Sequence, residues 1–472
     1  MPKLVSISYS KLLLVVLGLQ IFTEARAQDV EVRIDVDGSG RSAKVSGKVL
    51  QGDRKNERNF VFKKSVPGEP RLAERVSGVL LDGALPRQLM AGEYLAGSSF
   101  SSFAYSVNLK QPTASAALAH SSWIGDQAGI LNLDDLLPQF APSGKKVSAN
   151  VRLELPAEWT SDVGNEFVVN DLSRSVMMVG KGIRRVDTGG SLALYVSGDF
   201  QFQTDEAAKI AREVFDEYSK MLGGLPRKDY RIFLMKLPPS AGFGSWEAGT
   251  VGSTVTIVTG DATFASTALQ RLHEQLRHEI FHLWMPNALN LRGDYAWFYE
   301  GFALYQSLKL GVRVNRIRFD DFLDTLSRAY TIDANAKPRL PLTSPAVDPT
   351  VRYARGMLVA FLIDLQFLAN SRGRSDVTTI LRTIFQTHGE KSEPTDSTEV
   401  LKTVIGQNAI LDRYVFGADA IEWTGQLAAA GIESKQTGRT TTLSTAAKPN
   451  SRQKEILDRL GYNNWRKLGT KK

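Results

Sequence analysis

From Gln28 to about residue 200, apolar and polar residues alternate with a period of two. Val30, Val32, Ile34 and Val36 interleave with Glu31, Arg33 and Asp35, and the runs 103–109 and 147–155 follow the same rule. Gly- and Pro-containing turns such as Val66-Pro-Gly-Glu-Pro70 separate the runs. Successive strand side chains point to opposite faces, so this pattern predicts half-buried strands and an antiparallel β-sandwich. After Thr204 the period lengthens. Residues 206–222 read as a helix, 230–235 and 255–258 as strands, and 267–285 as a second helix. In that helix Leu269, Leu272, Leu276, Ile280 and Leu283 recur at steps of three and four, making one face apolar, and Pro286 stops it. A further helix is predicted over 297–310, and nearly all of 316–432 is helical, including 353–368 and 377–387.

At 472 residues the chain is too long for one small core. The pattern divides it into a leader (1–27), a β-sandwich region (28–200), an α+β region (201–315), a helical region (316–433) and a tail (434–472), a multidomain α+β organisation. The leader has Lys3 and Lys11, a short apolar run over 12–22, and Ala25-Arg26-Ala27 before Gln28. A basic start, an apolar core too short to span a bilayer and an A-x-A end describe a cleavable secretory signal. Periplasmic or secreted localisation is therefore expected. The chain has no cysteine, which excludes disulfides, a lipidated N-terminal cysteine and any thiolate ligand or nucleophile. Of the net charge of +8, the leader carries +2 and the tail +8, leaving −2 for the body. The tail's charge suits an anionic surface or partner, but a solvated, partly disordered segment with one short helix over 453–468 is the simpler expectation. No nucleic-acid partner is expected from a body of this charge.

The candidate chemistry lies in His278-Glu279-Ile280-Phe281-His282, followed by Trp297-Phe298-Tyr299-Glu300-Gly301. Histidines four apart on a helix share a face, with Cβ atoms roughly 5–6 Å apart, so both rings can reach one cation. Glu300, on the next predicted helix, can supply a third ligand. Three N/O ligands with one open position is the arrangement of catalytic zinc, and Glu279 can take and return a proton without binding the metal. The chain has three other histidines. His273 stands five residues before His278, which turns the two rings to different faces, so His273 is expected to be structural or solvent-exposed. His120 and His388 fall in other regions with no ligand spacing, and His388 is expected only to end a helix.

These motifs resemble the gluzincin peptidases, and within them the glycyl-aminopeptidase-like relatives of the aminopeptidase N family. That family combines a β domain, a thermolysin-like catalytic domain and a helical domain. Tyr353-Ala-Arg-Gly356 is similar to its Tyr-x-Lys-Gly helix, whose tyrosine donates a hydrogen bond to the tetrahedral oxyanion, a role a phenol can fill beside a metal. Gly244-Ser-Trp-Glu247 stands where the family carries a Gly-x-x-Glu loop, whose glutamate binds the substrate α-amine through charge-assisted hydrogen bonds. Residues 411–417 and 427–432 resemble the end of its helical domain. Three departures are visible: a His282-to-Glu300 interval one residue shorter than usual, Ala248 after Glu247, and Arg355 for lysine. The PDZ domain found at the C-terminus of many members has no counterpart after residue 433.

The resemblance implies one Zn²⁺ per chain held by His278, His282 and Glu300, with Glu279 as general base and Tyr353 at the oxyanion. It also implies Gly244 and Glu247 at the substrate, and a peptide substrate trimmed of small N-terminal residues. Two other readings use the same residues. One is an endopeptidase without an amine anchor. The other is a catalytically idle envelope scaffold with structural zinc, against which Glu279 and Tyr353 count, since a structural site needs neither.

Overall fold

The computed structural model describes residues 28–50, 58–139, 146–237, 242–390 and 392–464. The expected leader and residues 465–472 lie outside the described residues. The first alternating run forms strand Val30–Asp37, buried and exposed in strict turn. It lies inside a six-stranded sheet ordered Glu166–Val169, Ala149–Glu154, Val30–Asp37, Ser42–Val49, Ser102–Asn108, Val76–Leu81. Val30–Asp37 runs parallel to Ala149–Glu154, with Val30 opposite Ala149. The expectation of a purely antiparallel region is thereby corrected. Alternation reports which face is buried, whereas strand direction depends on how the intervening chain returns.

A second sheet, ordered Thr160–Ser161, Val176–Gly180, Ala128–Asn132, Trp123–Ile124, lies against the first. Val176–Gly180 and Ala128–Asn132 are buried at every position. Each has two apolar neighbours to satisfy: Leu131, Met177 and Val179 join the core of the first sheet. Ile130, Val176 and Met178 pack instead with Phe233, Met235 and Val258 of the region that follows. The strand-rich region is thus bonded by its own apolar surface to the sheet that carries the site.

That third sheet is ordered Arg184–Asp187, Leu192–Ser197, Tyr230–Lys236, Thr254–Thr259, Trp246–Val251. Trp246–Val251 is its antiparallel edge strand, pairing Glu247 with Val258 and Gly249 with Thr256. Helices Thr204–Leu222 and Ala265–His282 share a core with the sheet that includes Ile232, Val255, Phe215, Leu276 and Ile280. Ala265–His282 is called the histidine helix below. The glutamate helix, Ala296–Arg313, crosses the tyrosine helix, Pro349–Ser371, at paired glycines. A Cβ on Gly301 would lie 2.3 Å from the Gly356 carbonyl carbon, and one on Gly356 would lie 2.5 Å from the Trp297 oxygen. Only hydrogen at both positions allows backbones to approach so closely.

The tail departs from expectation. Over its described part, Ile432–Thr437 and Thr440–Thr445 form a hairpin, and Ser451–Leu460 a helix with an Asn450–Gln453 capping box. Leu443 N–H donates to Ser327 Oγ, Arg452 donates to the Ala369 carbonyl at 2.7 Å, and Leu457 is fully buried in the main core. The polar composition misleads because three apolar residues, Ile456, Leu457 and Leu460, suffice to dock an amphipathic helix.

Candidate active site

Helix geometry puts His278 and His282 on one face, and the packing of the glutamate helix against the histidine helix brings Glu300 to them. Nε2 of His278 and Nε2 of His282 are 3.1 Å apart, and Oε2 of Glu300 stands 3.3 Å and 3.5 Å from them. Ligand atoms around tetrahedral zinc, with bonds of about 2.0–2.2 Å, are separated by about 3.3–3.6 Å. The three atoms therefore form one face of a zinc tetrahedron. Two further observations fit a cation. Glu300 Oε2 is buried without a hydrogen-bond donor. The His282 Nδ1 atom lies 2.8 Å from the Met285 carbonyl, which can only accept, so Nδ1 carries a proton and Nε2 is the nitrogen left to bind a metal beside the other two atoms.

Electrostatics agree. Burial works against charge on His282, but the Glu300 carboxylate outweighs it and raises the imidazole to about 9. Burial likewise opposes charge on Glu300, and the two imidazoles hold it far below the usual carboxylate range. Without a metal the cluster retains a proton where a cation belongs.

Glu279 is buried beside this face. Thr250 Oγ1, on the edge strand, lies 2.8 Å from Glu279 Oε2 and 2.9 Å from its backbone oxygen, which orients the carboxylate. Asn287 ties the same strand to the end of the histidine helix, accepting from Gly252 N–H at 2.9 Å and donating to the His282 carbonyl at 3.0 Å. Tyr353 reaches the cluster, its phenol within the field of the Glu300 carboxylate. Burial first, and the Glu300 charge second, push its ionisation far up, so it keeps its proton to donate. A cavity of about 1170 Å³ runs from Glu279 and Tyr353 past Met357 along the histidine helix to Leu269 and Ser266. Glu247 is not part of its wall.

Glu247 sits on the edge strand rather than in a loop, accepting from Ser115 Oγ at 3.1 Å. Gly244 lies in the preceding turn at φ +73°, with its N–H donated to the Asp261 carbonyl. His273 is buried, its Nδ1 2.6 Å from Arg277 Nη1. Burial and then Arg277 lower it to about 3, in keeping with a structural role. His388 ends its helix, and its carbonyl accepts from Asn290 N–H. His120, which has no ligand spacing in the sequence, lies against the edge strand and within the field of Glu279, Glu247 and Glu300. Thr250 and His120 escaped the sequence reading. For Thr250 a signal existed: Gly252-Ser253 between Thr250-Val251 and Thr254-Val255 is a hairpin signature. His120 had none.

By sequence the chain matches no protein-family model and no curated protein. By structure it is similar to an aminopeptidase N family protein from Idiomarina loihiensis, with TM-score 0.69 and 15% identity over 86% of this chain and 79% of that one. It is also similar to an M1 zinc metallopeptidase from Deinococcus radiodurans, a mutant bound to a Tyr-Ser-Ala substrate. There the TM-score is 0.56 and the identity 16%, over 84% of this chain and 95% of that one. Yeast LTA4 hydrolase in complex with bestatin gives TM-score 0.53 at 13% identity, covering 84% and 68%. With its strand-rich start, central mixed sheet and helical end, the chain has the fold of the M1, or aminopeptidase N, zinc metallopeptidases.

Proposed function

We propose that the chain is an exported zinc aminopeptidase that removes small residues from the N-termini of peptides. The carrying observation is the triangle of His278, His282 and Glu300, whose spacings of 3.1, 3.3 and 3.5 Å suit zinc, with Glu279 held beside it by Thr250. A bound zinc supplies a Lewis acid that polarises a carbonyl and acidifies a water. Glu279 takes the proton of the attacking water and delivers it to the leaving amine. Tyr353, protonated at working pH, donates to the oxyanion. Glu247 supplies the carboxylate that pairs with the substrate ammonium through charge-assisted hydrogen bonds. The cavity that starts at Glu279 and Tyr353 gives the rest of the peptide room, and a likeness in fold to a metallopeptidase bound to Tyr-Ser-Ala supports a peptide substrate. Export, to the periplasm or beyond, rests on the basic, apolar and A-x-A leader.

The test is a defined peptide mixture digested by the mature protein and by Glu279→Gln, with products read by mass spectrometry and zinc measured in both. Stepwise N-terminal trimming by the wild type, lost by at least a hundredfold in the variant at equal zinc, is expected. Cuts inside the peptides would remove the amine anchor. Inactivity of both zinc-loaded proteins would overturn the peptidase reading.

A further inference from the structure

His120 belongs to the strand-rich region, yet its ring lies on the edge strand that carries Glu247 and Thr250, within the field of Glu279 and Glu300. The segment that carries it is firmly set. Ser115–Ala117 forms a turn of 3₁₀ helix, His120 N–H and Ser121 N–H donate to the Ala117 carbonyl, and Trp123 Nε1 donates to the Leu118 carbonyl at 2.8 Å. Leu118, Ala119, Ser121 and Ser122 around it are buried. Ser115, at the start of the segment, is the residue that bonds Glu247.

The His120 ring lies directly on Gly249. A Cβ at Gly249 would fall 2.5 Å from Cε1, 2.9 Å from Nδ1 and 3.3 Å from Nε2, so the ring sits where a side chain at 249 would be. Glu247 and Gly249 are two apart on the edge strand and face the same side, roughly 7 Å from each other. The residue that holds the carboxylate and the one on which the ring lies are therefore about two residue rises apart along the strand. Among the described residues neither ring nitrogen has a hydrogen-bond partner within the protein. Burial lowers the imidazole below its ordinary value against the pull of Glu279, Glu247 and Glu300, so at neutral pH the ring is uncharged. It does not compete with an ammonium for Glu247.

We propose that His120 is a specificity residue of the cleft, a neutral ring seated on Gly249 beside Glu247 that closes the space around the substrate's first side chain and admits small ones. This rests on the aminopeptidase reading above. It assigns to the strand-rich region a direct part in choosing the substrate.

The experiment compares kcat/KM for X-Ala-Ala tripeptides, with X as Gly, Ala, Leu or Phe, in wild type, His120→Ala and Gly249→Ala, each checked for zinc content. His120→Ala is expected to raise the Phe-to-Ala ratio at least tenfold. Gly249→Ala, which pushes the ring outward, is expected to lower cleavage of X = Ala relative to X = Gly. In parallel, calorimetry of L-alanine and L-phenylalanine binding to Glu279→Gln, with and without His120→Ala, reads the same preference without turnover. N-terminal trimming with both ratios and the relative affinities unchanged within twofold overturns the role of His120 alone. Internal cleavage by the wild type overturns the aminopeptidase reading and the inference with it.

Discussion

His282 carries the clearest consequence at the scale of single residues. With its imidazole raised to about 9 in the metal-free protein, it holds a proton at pH 7 that a metal ion must displace. Zinc titration at pH 7 in two buffers of different ionisation enthalpy should show release of about one proton per ion. No release would mean that His282 is not a ligand. His282→Ala should bind zinc far more weakly, since two of three ligands remain. Thr250 makes a subtler demand. Thr250→Val keeps the shape and removes the hydroxyl that holds the Glu279 carboxylate. Loss of such an orienting partner costs about 10–100-fold, expected in kcat with KM and zinc content little changed. A change in KM alone would place Thr250 at the substrate instead.

At the scale of elements, the crossing of the glutamate and tyrosine helices decides whether the site exists. Glu300 precedes Gly301 by one residue, and Tyr353 precedes Gly356 by three, so the glycine contact sets both side chains at once. Gly301→Ala must separate the backbones, and overpacking of this type costs typically about 1–3 kcal/mol. A lowered melting temperature with weakened zinc binding is expected, and a variant of unchanged stability and zinc affinity would show that the helices do not meet so closely. Periodicity made both helices legible, as it did the histidine helix. Their contact was not, because each glycine reads alone as a small residue on a helix. The edge strand went unread over 246–251 because one of its faces takes Trp246, Ala248 and Thr250 and the other Glu247, Gly249 and Val251. Neither face is cleanly apolar.

At the scale of the whole molecule, three regions meet at Glu390. Its carboxylate accepts from Arg174 of the strand-rich region at 3.0 Å and from Arg227 of the central region, and both arginines also donate to the Asn287 carbonyl. Burial would raise Glu390, but Arg227 first, and then Lys146 and Arg174, hold it below its unfolded value of 4.5. A depressed carboxylate contributes stability that is complete above the unfolded pKa and is lost as pH falls through the folded one. Glu390→Gln is therefore expected to destabilise the protein at pH 7 and to flatten the acid side of its stability profile below about pH 4.5. An unchanged acid limb would assign that limb to other carboxylates. No helix among the described residues is long and apolar enough to cross a membrane, and the docked C-terminal helix buries Leu457 in the main core.

The sequence alone determined the local features: where strands and helices run, that two histidines share a helical face, and that a glutamate and a tyrosine stand on helices downstream. Each follows from periodicity or fixed spacing, which are properties of neighbours in the chain. The tertiary structure decided what depends on remote segments meeting. It put Glu300 within 3.3 Å of His278, laid Thr250 on Glu279, turned Val30–Asp37 parallel to Ala149–Glu154, folded the tail onto the tyrosine helix and seated His120 on Gly249. Those contacts are set by the packing of whole surfaces, in which a histidine 158 residues from the metal motif leaves no periodic trace.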